Sequence, residues 1–220
     1  MTDVQAETPR YPSWLPWLLG FLTAIGPASI DMYLPAFPAI EASFGVPSGS
    51  AQITLASYFA GLAIGQISQG TLSDRFGRRG PIMVGTAIYA AASIGAALSP
   101  NIFWLSVFRA LSAFGGAAGT VIPRAMVRDL ATGHKATVIM GQLTLVLGVA
   151  PILAPSIGGM VLMLGSWRWI FAILAVYAAT CTVVVWRLLP DTLPPERRIP
   201  LHPAQQFRRF SGILRERFFI

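Results

Sequence analysis

Six long apolar stretches, separated by short polar gaps, occupy most of the sequence. Each is close to the roughly 20 residues that an α-helix needs to cross the hydrocarbon core of a bilayer. They are too long, and alternate too little, for the strands of a transmembrane barrel, which run to about 10 residues. The stretches cover residues 14–37, 51–72, 81–98, 102–122, 136–164 and 167–189. The sequence therefore predicts an all-α transmembrane protein whose six spans form one bundle.

Composition and charge agree with a membrane protein and argue against other classes. Of the 220 residues, 54% are hydrophobic and only 11% are charged, against about 25% charged residues in soluble domains. The net charge of +7 does not indicate a nucleic-acid partner, because the basic residues lie in the gaps between the apolar stretches. Neither histidine lies in a stretch, and no Ser–His, Cys–His or metal-ligand cluster appears there. We therefore expect no enzyme activity, no metal and no cofactor.

Lysine and arginine are distributed unevenly among the gaps, which predicts the orientation in the membrane. The gaps after the second and fourth stretches hold three basic residues each, and the chain from Arg187 onward, at the end of the sixth stretch, holds seven. The gaps after the first and third hold none, and the gap after the fifth holds only Arg168. Because cytoplasmic loops are enriched in these residues, both ends of the chain are predicted to be cytoplasmic.

This orientation divides the chain into three parts. Residues 1–13 form a cytoplasmic arm, and residues 14–189 form the transmembrane bundle. Residues 190–220 form a basic linker, whose arginines alternate with apolar residues at helical spacing. We expect this linker to include an amphipathic helix that lies on membrane lipid at the inner leaflet.

Asp31 and Arg109 are the ionisable residues that lie deep within the stretches. Each costs at least about 2.5–3.5 kcal/mol at the centre of a membrane helix, so such residues usually serve a function. Pro35 and Pro38 follow Asp31 and predict a break in the first helix. Two structural interpretations stay open: Asp31 caps a broken helix near the membrane surface, or Arg109 forms an ion pair that ties helices together.

The six stretches can be divided into two sets of three, with Asp31 in the first stretch of one set and Arg109 in the first of the other. Carriers built from such 3+3 inverted repeats place substrate and ion sites near the midplane of the membrane. A buried carboxylate holds its proton tightly, and a nearby cation weakens that hold. This pair therefore suits proton coupling. We expect the cavity between the repeats to be lined by Tyr33, Tyr58, Gln52 and Gln142.

Small residues recur at positions that favour close helix packing. Gly61 and Gly65 lie four residues apart in the second stretch, and "GGAAG" occupies 115–119 in the fourth. The fifth stretch contains Gly141, Gly148, Gly158 and Gly159. These glycines predict a compact bundle.

The gap after the second stretch contains "GTLSDRFGRRG" and resembles the cytoplasmic motif of the major facilitator superfamily, G-x-L-a-D-R-x-G-R-R. Seven positions match this pattern: Gly70, Leu72, Asp74, Arg75, Gly77, Arg78 and Arg79. Taken without the resemblance, the segment is a charged hairpin loop that fixes the orientation of the helices.

Further segments resemble one branch of that superfamily. "LSVFRALSAFGGAAG" is similar to the fourth-helix motif, and "GVAPILAPSIGG" is similar to the fifth-helix antiporter motif, although Ala150 and Ala154 replace glycines that are usual there. "IDMYLPAFPAI" and "GSWRWIF" most resemble drug/proton antiporters of the bicyclomycin and chloramphenicol/florfenicol resistance type.

The resemblance implies roles for individual residues. It implies that Asp31 takes part in proton and substrate coupling and that Arg109 takes part in proton transfer. It also implies two groups of conformational residues: a cytoplasmic charge network, and positions that shape helix contacts and the contact between halves. The first group is Asp74, Arg75, Arg78 and Asp129, and the second is Gly70, Gly77, Pro155, Gly158 and Gly159.

Carriers of this superfamily consist of two six-helix halves, and the chain resembles the N-terminal one. The resemblance implies proton-coupled export of small-molecule drugs or antibiotics across the bacterial inner membrane by alternating access, together with a C-terminal six-helix half. The alternative is a truncated, non-transporting membrane remnant or a regulatory half that needs a partner half.

Overall fold

A computed structural model of the chain describes residues 12–194 together with 196 and 198. These residues are helical and contain no strand, which confirms the predicted all-α class. The predicted cytoplasmic arm up to residue 11 and the predicted linker helix lie outside the described residues. The helices are α1 (Leu15–Thr23), α2 (Ile25–Asp31), α3 (Phe37–Phe44), α4 (Gln52–Phe76), α5 (Arg79–Ala97), α6 (Ile102–Leu130), α7 (Gly133–Leu162) and α8 (Arg168–Leu188).

The first span consists of α1, α2, a 3₁₀ turn at Leu34–Ala36 and α3. The turn and the start of α3 contain Pro35 and Pro38, so the predicted break is confirmed. The boundary between α1 and α2 lies four residues before a further proline, Pro27. Because proline has no amide hydrogen, it cannot complete the helical hydrogen bond to Thr23. The α-helix of the first span is therefore interrupted near its middle as well as after Asp31.

Hydropathy supports a membrane location for most of the bundle. Within the described residues, five helical segments are long and apolar enough to cross a membrane, namely Leu15–Phe44, α5, α6, α7 and α8. The remaining span, α4, is long enough but carries Gln52, Gln66 and Gln69, which make it less apolar.

Helix α6 extends eight residues beyond the predicted end at residue 122. The apolar stretch ends there, but the helix continues through Pro123 and the charged turn that follows, to Leu130. Leaving the hydrocarbon core does not end a helix whose backbone hydrogen bonds are internal. The extension places Asp129 at the cytoplasmic end of the bundle, beside the turn between α4 and α5.

The spans pack in a repeated arrangement. In the first set of three, α4 packs on α6, the first span of the second set. In the second set, α7 packs on α1 and α2, which belong to the first span of the first set. The third spans of both sets, α5 and α8, pack against each other. This exchange is the pattern expected of 3+3 inverted repeats.

Glycines allow several of these helices to approach closely. A Cβ atom added at Gly61 would overlap the Ala110 carbonyl, and one added at Gly158 would overlap the Met32 carbonyl. Gly115 packs equally closely on the backbone of α5. By contrast, Cβ atoms at Gly141, Gly148 and Gly159 would have no described atom within 4 Å. Close packing inside the bundle is therefore confirmed for one part of the glycine set and does not apply to these last three.

The adjacent glycines of α7 provide a matched pair of substitutions. Both Gly158→Ala and Gly159→Ala gain helix propensity, but only the first forces a methyl group into a backbone carbonyl. Overpacking of this kind costs about 1–3 kcal/mol. We expect Gly158→Ala to lower the thermal unfolding midpoint in detergent and Gly159→Ala to leave it unchanged or raise it. Equal midpoints for the two variants would contradict the close contact with Met32.

Candidate coupling site and cytoplasmic charge network

Arg109 lies in the middle of α6 and is completely buried. Its Nη1 donates hydrogen bonds to the backbone carbonyl of Ser29 at 2.9 Å and to the Ser29 hydroxyl at 3.1 Å. Ser29 belongs to α2, so these bonds join the first spans of the two repeats. Arg109 therefore contacts the helix that carries Asp31.

Aromatic rings surround the guanidinium group. The Arg109 Cζ atom lies 4.4 Å from the ring centroid of Tyr33, 4.3 Å from that of Tyr58 and 5.8 Å from that of Phe171. The rings come from the segment after α2, from α4 and from α8. A desolvated cation–π contact contributes about 2 kcal/mol. Tyr33 is held in place by a 2.5 Å hydrogen bond with Thr54.

No carboxylate within the described residues pairs with Arg109, whose contacts are aromatic and neutral. The interpretation of Arg109 as a structural ion pair is therefore wrong for this part of the chain. Its Nε and Nη2 atoms, and the buried hydroxyl of Tyr89, make no hydrogen bond to a described residue. The arginine thus keeps its charge inside the bundle and retains donors that Ser29 does not use.

Asp31 is the last residue of α2 and is partly exposed. It forms no ion pair with a described residue. Ser29, which accepts the hydrogen bonds of Arg109, lies two residues earlier on the same short helix. The structure therefore connects Asp31 to Arg109 through α2 rather than by a direct salt bridge.

The other residues expected to line the cavity divide into two pairs. Tyr33 and Tyr58 are buried around Arg109. Gln52 instead borders a surface groove beside Ile53, and Gln142 borders another with Trp17. The sequence analysis did not identify Ser29 or Phe171 as neighbours of Arg109. Phe171 ends the segment GSWRWIF, but nothing in that segment indicates a contact with Arg109, and no motif marks Ser29.

Arg78 joins the C-terminal ends of α4 and α6. Its Nη1 donates to Asp74 Oδ1 at 2.6 Å and to the Ser73 hydroxyl at 2.8 Å, and its Nε donates to Asp129 Oδ2 at 2.8 Å. The Arg78 side chain is only 7% exposed. Three of the residues predicted to form the charge network are therefore in contact.

Arg75, the fourth residue of the predicted network, lies outside this cluster. Its guanidinium is 5.0 Å from the ring centroid of Phe76, and the residue is exposed. Although Arg75 matches the motif, its side chain therefore does not join the contacts of Arg78 with Asp74 and Asp129.

Burial by itself would lower the pKa of Arg78, but the hydrogen bonds that its guanidinium donates to the carboxylates of Asp129 and Asp74, together with their charges, outweigh this effect. The net effect raises the pKa of Arg78 above its ordinary value. The guanidinium therefore stays charged, and the cluster remains an ionic clamp between helix ends. Within the described residues, no group of three or more His, Cys, Asp or Glu side chains could hold a metal ion.

A model of the Major Facilitator Superfamily matches residues 19–220. An uncharacterized transporter of this type from Bacillus subtilis, YdgK, is 37% identical over 94% of the chain and 52% of its own length. A bicyclomycin resistance protein homolog of Haemophilus influenzae is 33% identical over 83% of the chain and 46% of its own length. A chloramphenicol resistance protein of Pseudomonas aeruginosa is 35% identical over 80% of the chain and 42% of its own length.

The fold also matches solved structures of the same superfamily. The proton:xylose symporter XylE aligns with a TM-score of 0.73 at 14% identity, over 84% of this chain and 47% of the symporter. At this identity the likeness concerns the fold alone. The chain spans about half the length of the curated relatives that it matches.

Arg78 and Arg75 provide a test of the ionic clamp. Arg78→Gln leaves two carboxylates without their cation. Because the side chains of Asp74 and Asp129 are 44% and 20% exposed, water compensates part of this loss. We expect a cost of about 1.5–3 kcal/mol, as for hydrogen bonds to a charged group. We expect a clear fall in the thermal unfolding midpoint for Arg78→Gln and almost none for Arg75→Gln, which removes an exposed charge from the same turn. A comparable fall in both variants would show that net charge, not the clamp, stabilises the turn.

Arg109 can be tested with a side chain of similar length. A buried cation without a carboxylate partner carries a desolvation cost of several kcal/mol, which an apolar replacement avoids. We expect Arg109→Met to unfold at the same temperature as the parent chain or higher, whereas Arg109→Ala, which leaves a cavity, unfolds lower. A large loss of stability in Arg109→Met would mean that the aromatic contacts and Ser29 outweigh the desolvation cost.

Proposed function

The chain belongs to the major facilitator superfamily, a family of transporters rather than enzymes, and we propose that it is the N-terminal half of a proton-coupled drug efflux carrier. The observation that carries this proposal is the buried Arg109, which is hydrogen-bonded to Ser29, two residues before the acid Asp31. The names of the relatives, which include bicyclomycin and chloramphenicol resistance proteins, support an antibiotic or other small-molecule drug as substrate.

In the proposed mechanism, Asp31 binds the transported proton. Its partial exposure gives the proton a route from water, while its position at the end of α2 places it two residues after Ser29, which binds Arg109. The fixed charge of Arg109 favours the ionised form of the Asp31 carboxylate. The proton can therefore leave when the drug binds or when the site opens to the opposite side of the membrane. Exchange of the proton for the drug at Asp31 couples the two fluxes.

Alternating access needs a structure that holds one conformation until coupling has occurred. We assign this role to the charge network, in which Arg78 joins the end of α4 to the end of α6. Charge-assisted hydrogen bonds of this kind are about twice as strong as neutral ones. The network would latch the outward-facing state, and its opening would accompany the change to the inward-facing state.

The second half of the carrier would cover apolar surface that the bundle leaves open. Helix α7 exposes Leu145, Ile152 and Met160, and Gly159 and Pro155 of the antiporter motif lie on the same helix. In the inner membrane of a bacterium, lipid would cover the remaining apolar surface. The distribution of lysine and arginine supports cytoplasmic positions for both ends of this chain.

The alternative proposal is a non-transporting remnant or a regulatory half that acts through a partner. Proton-driven export measured for the complete gene product distinguishes the two proposals. The test panel consists of phenicols, bicyclomycin and lipophilic cations, and absence of export for every compound would refute the drug-efflux proposal.

Asp31→Asn tests the coupling role directly. The amide has nearly the same shape as the carboxylate but cannot exchange a proton, so we expect proton-driven export to fall to background while the protein still reaches the membrane. Asp31→Glu keeps the acid and should retain part of the activity. Drug accumulation in energised vesicles and immunodetection of the protein provide the two measurements. Full resistance in cells that produce Asp31→Asn would exclude Asp31 from coupling.

A further inference from the structure

Asp191, just beyond the end of α8, makes contacts that the sequence analysis did not foresee. Its Oδ1 accepts a hydrogen bond from the backbone amide of Arg78 at 2.8 Å and one from the amide of Leu193 at 3.3 Å. Its Oδ2 accepts from Nη2 of Arg198 at 2.9 Å. One carboxylate therefore connects the start of the linker to the turn between α4 and α5.

The turn is shaped to receive this carboxylate. Gly77 has a φ of +88°, which side chains rarely adopt, and a Cβ atom there would overlap the Asp191 carboxylate. Leu189 and Leu193, on either side of Asp191, are both buried. The first part of the linker is thus packed on the bundle, and Gly77 leaves the space in which Asp191 lies.

Asp191 also lies at the positive end of a helix dipole. Arg78 is the N-cap residue of α5, and an acid near a helix N-terminus is stabilising. At the opposite end of α5, Arg168 donates to the carbonyls of Ala97 and Ser99 at 3.2 Å each. At the N-terminus of α5 the acid Asp191 accepts a hydrogen bond from an amide, and at its C-terminal end the cation Arg168 donates to carbonyls. Both charges have the sign that the dipole of α5 favours, and both residues lie at the ends of α8.

We propose that Asp191 is a positioning residue of the cytoplasmic charge network and couples the linker to it. Asp191 holds the Arg78 backbone, and the Arg78 side chain holds Asp74 and Asp129. Displacing the linker therefore displaces the arginine from its carboxylates. This inference rests on the proposed transport function for its effect on rate, but the attachment of the linker does not depend on it.

The attachment is tested by limited proteolysis of the folded protein in detergent. Trypsin can cut at the Arg197–Arg198 pair, and Asp191 binds Arg198. We expect cleavage there to be roughly tenfold faster in Asp191→Ala, because a charge-assisted hydrogen bond is lost, and also faster in Gly77→Ala. Asp191→Glu should restore protection. Glu196→Gln, which removes an exposed acid from the same linker, should cut at the parental rate.

A second measurement keeps the test valid if Asp191→Ala folds poorly. Asp191→Asn retains an acceptor for the Arg78 amide and loses the charge that binds Arg198. We therefore expect an intermediate cleavage rate and an unfolding temperature equal to that of the parent protein. Parental protection of Arg198 in Asp191→Ala, or equal acceleration in Glu196→Gln, would overturn the attachment.

The coupling is tested by a double-mutant cycle on export by the complete gene product. We expect Asp191→Ala and Asp129→Asn each to lower the initial rate, and the double variant to be no slower than Asp129→Asn, because both act through Arg78. Multiplicative effects, or a parental rate in Asp191→Ala, would overturn the coupling while leaving the proposed function intact. If the parent protein exports nothing, the proposed function fails and the proteolysis alone decides the positioning role.

Discussion

Arg109 places a charge in the centre of the bundle, and among the described residues no carboxylate pairs with it. The arrangement of the central helices reflects the need to stabilise this charge in another way. A guanidinium out of water needs hydrogen bonds, opposite charge or aromatic faces around it. Here α2 contributes the hydrogen bonds of Ser29, while the segment after α2, α4 and α8 contribute rings. Segments that belong to both repeats therefore converge on one side chain of α6.

Charged side chains connect the helices at their ends, whereas aromatic rings surround the buried arginine at the centre. At the end of the bundle where α4 and α6 terminate, Arg78 joins α4 to α6 through its side chain and α5 to the linker through its backbone amide. At the other end, Arg168 joins the start of α8 to the end of α5. Among the described residues, the ion pairs between helices therefore lie at helix ends, while rings and Ser29 surround the buried charge in the middle.

Apolar length and proline predicted most of the fold, because these properties act along the chain. The six spans and the break at Pro35 and Pro38 follow from such one-dimensional signals. The sequence did not predict the extension of α6 to Leu130, since an apolar boundary marks the edge of the bilayer and not the end of a helix.

The surroundings of the candidate site were harder to predict, because contacts depend on how each helix is rotated about its axis. Tyr33 and Tyr58 were expected to line a cavity, but nothing in the sequence indicated that their rings would pack on Arg109. Asp191 lies outside every motif, yet its carboxylate fills the space that Gly77 provides. Such pairs are far apart in sequence, and a single sequence holds no record of them.

The close approach of Gly158 to Met32 is another such pair. It joins the segment that resembles the antiporter motif to the proposed coupling acid, since Met32 directly follows Asp31. Close-packed contacts transmit displacement rather than absorb it, so movement of α7 would shift the backbone beside Asp31.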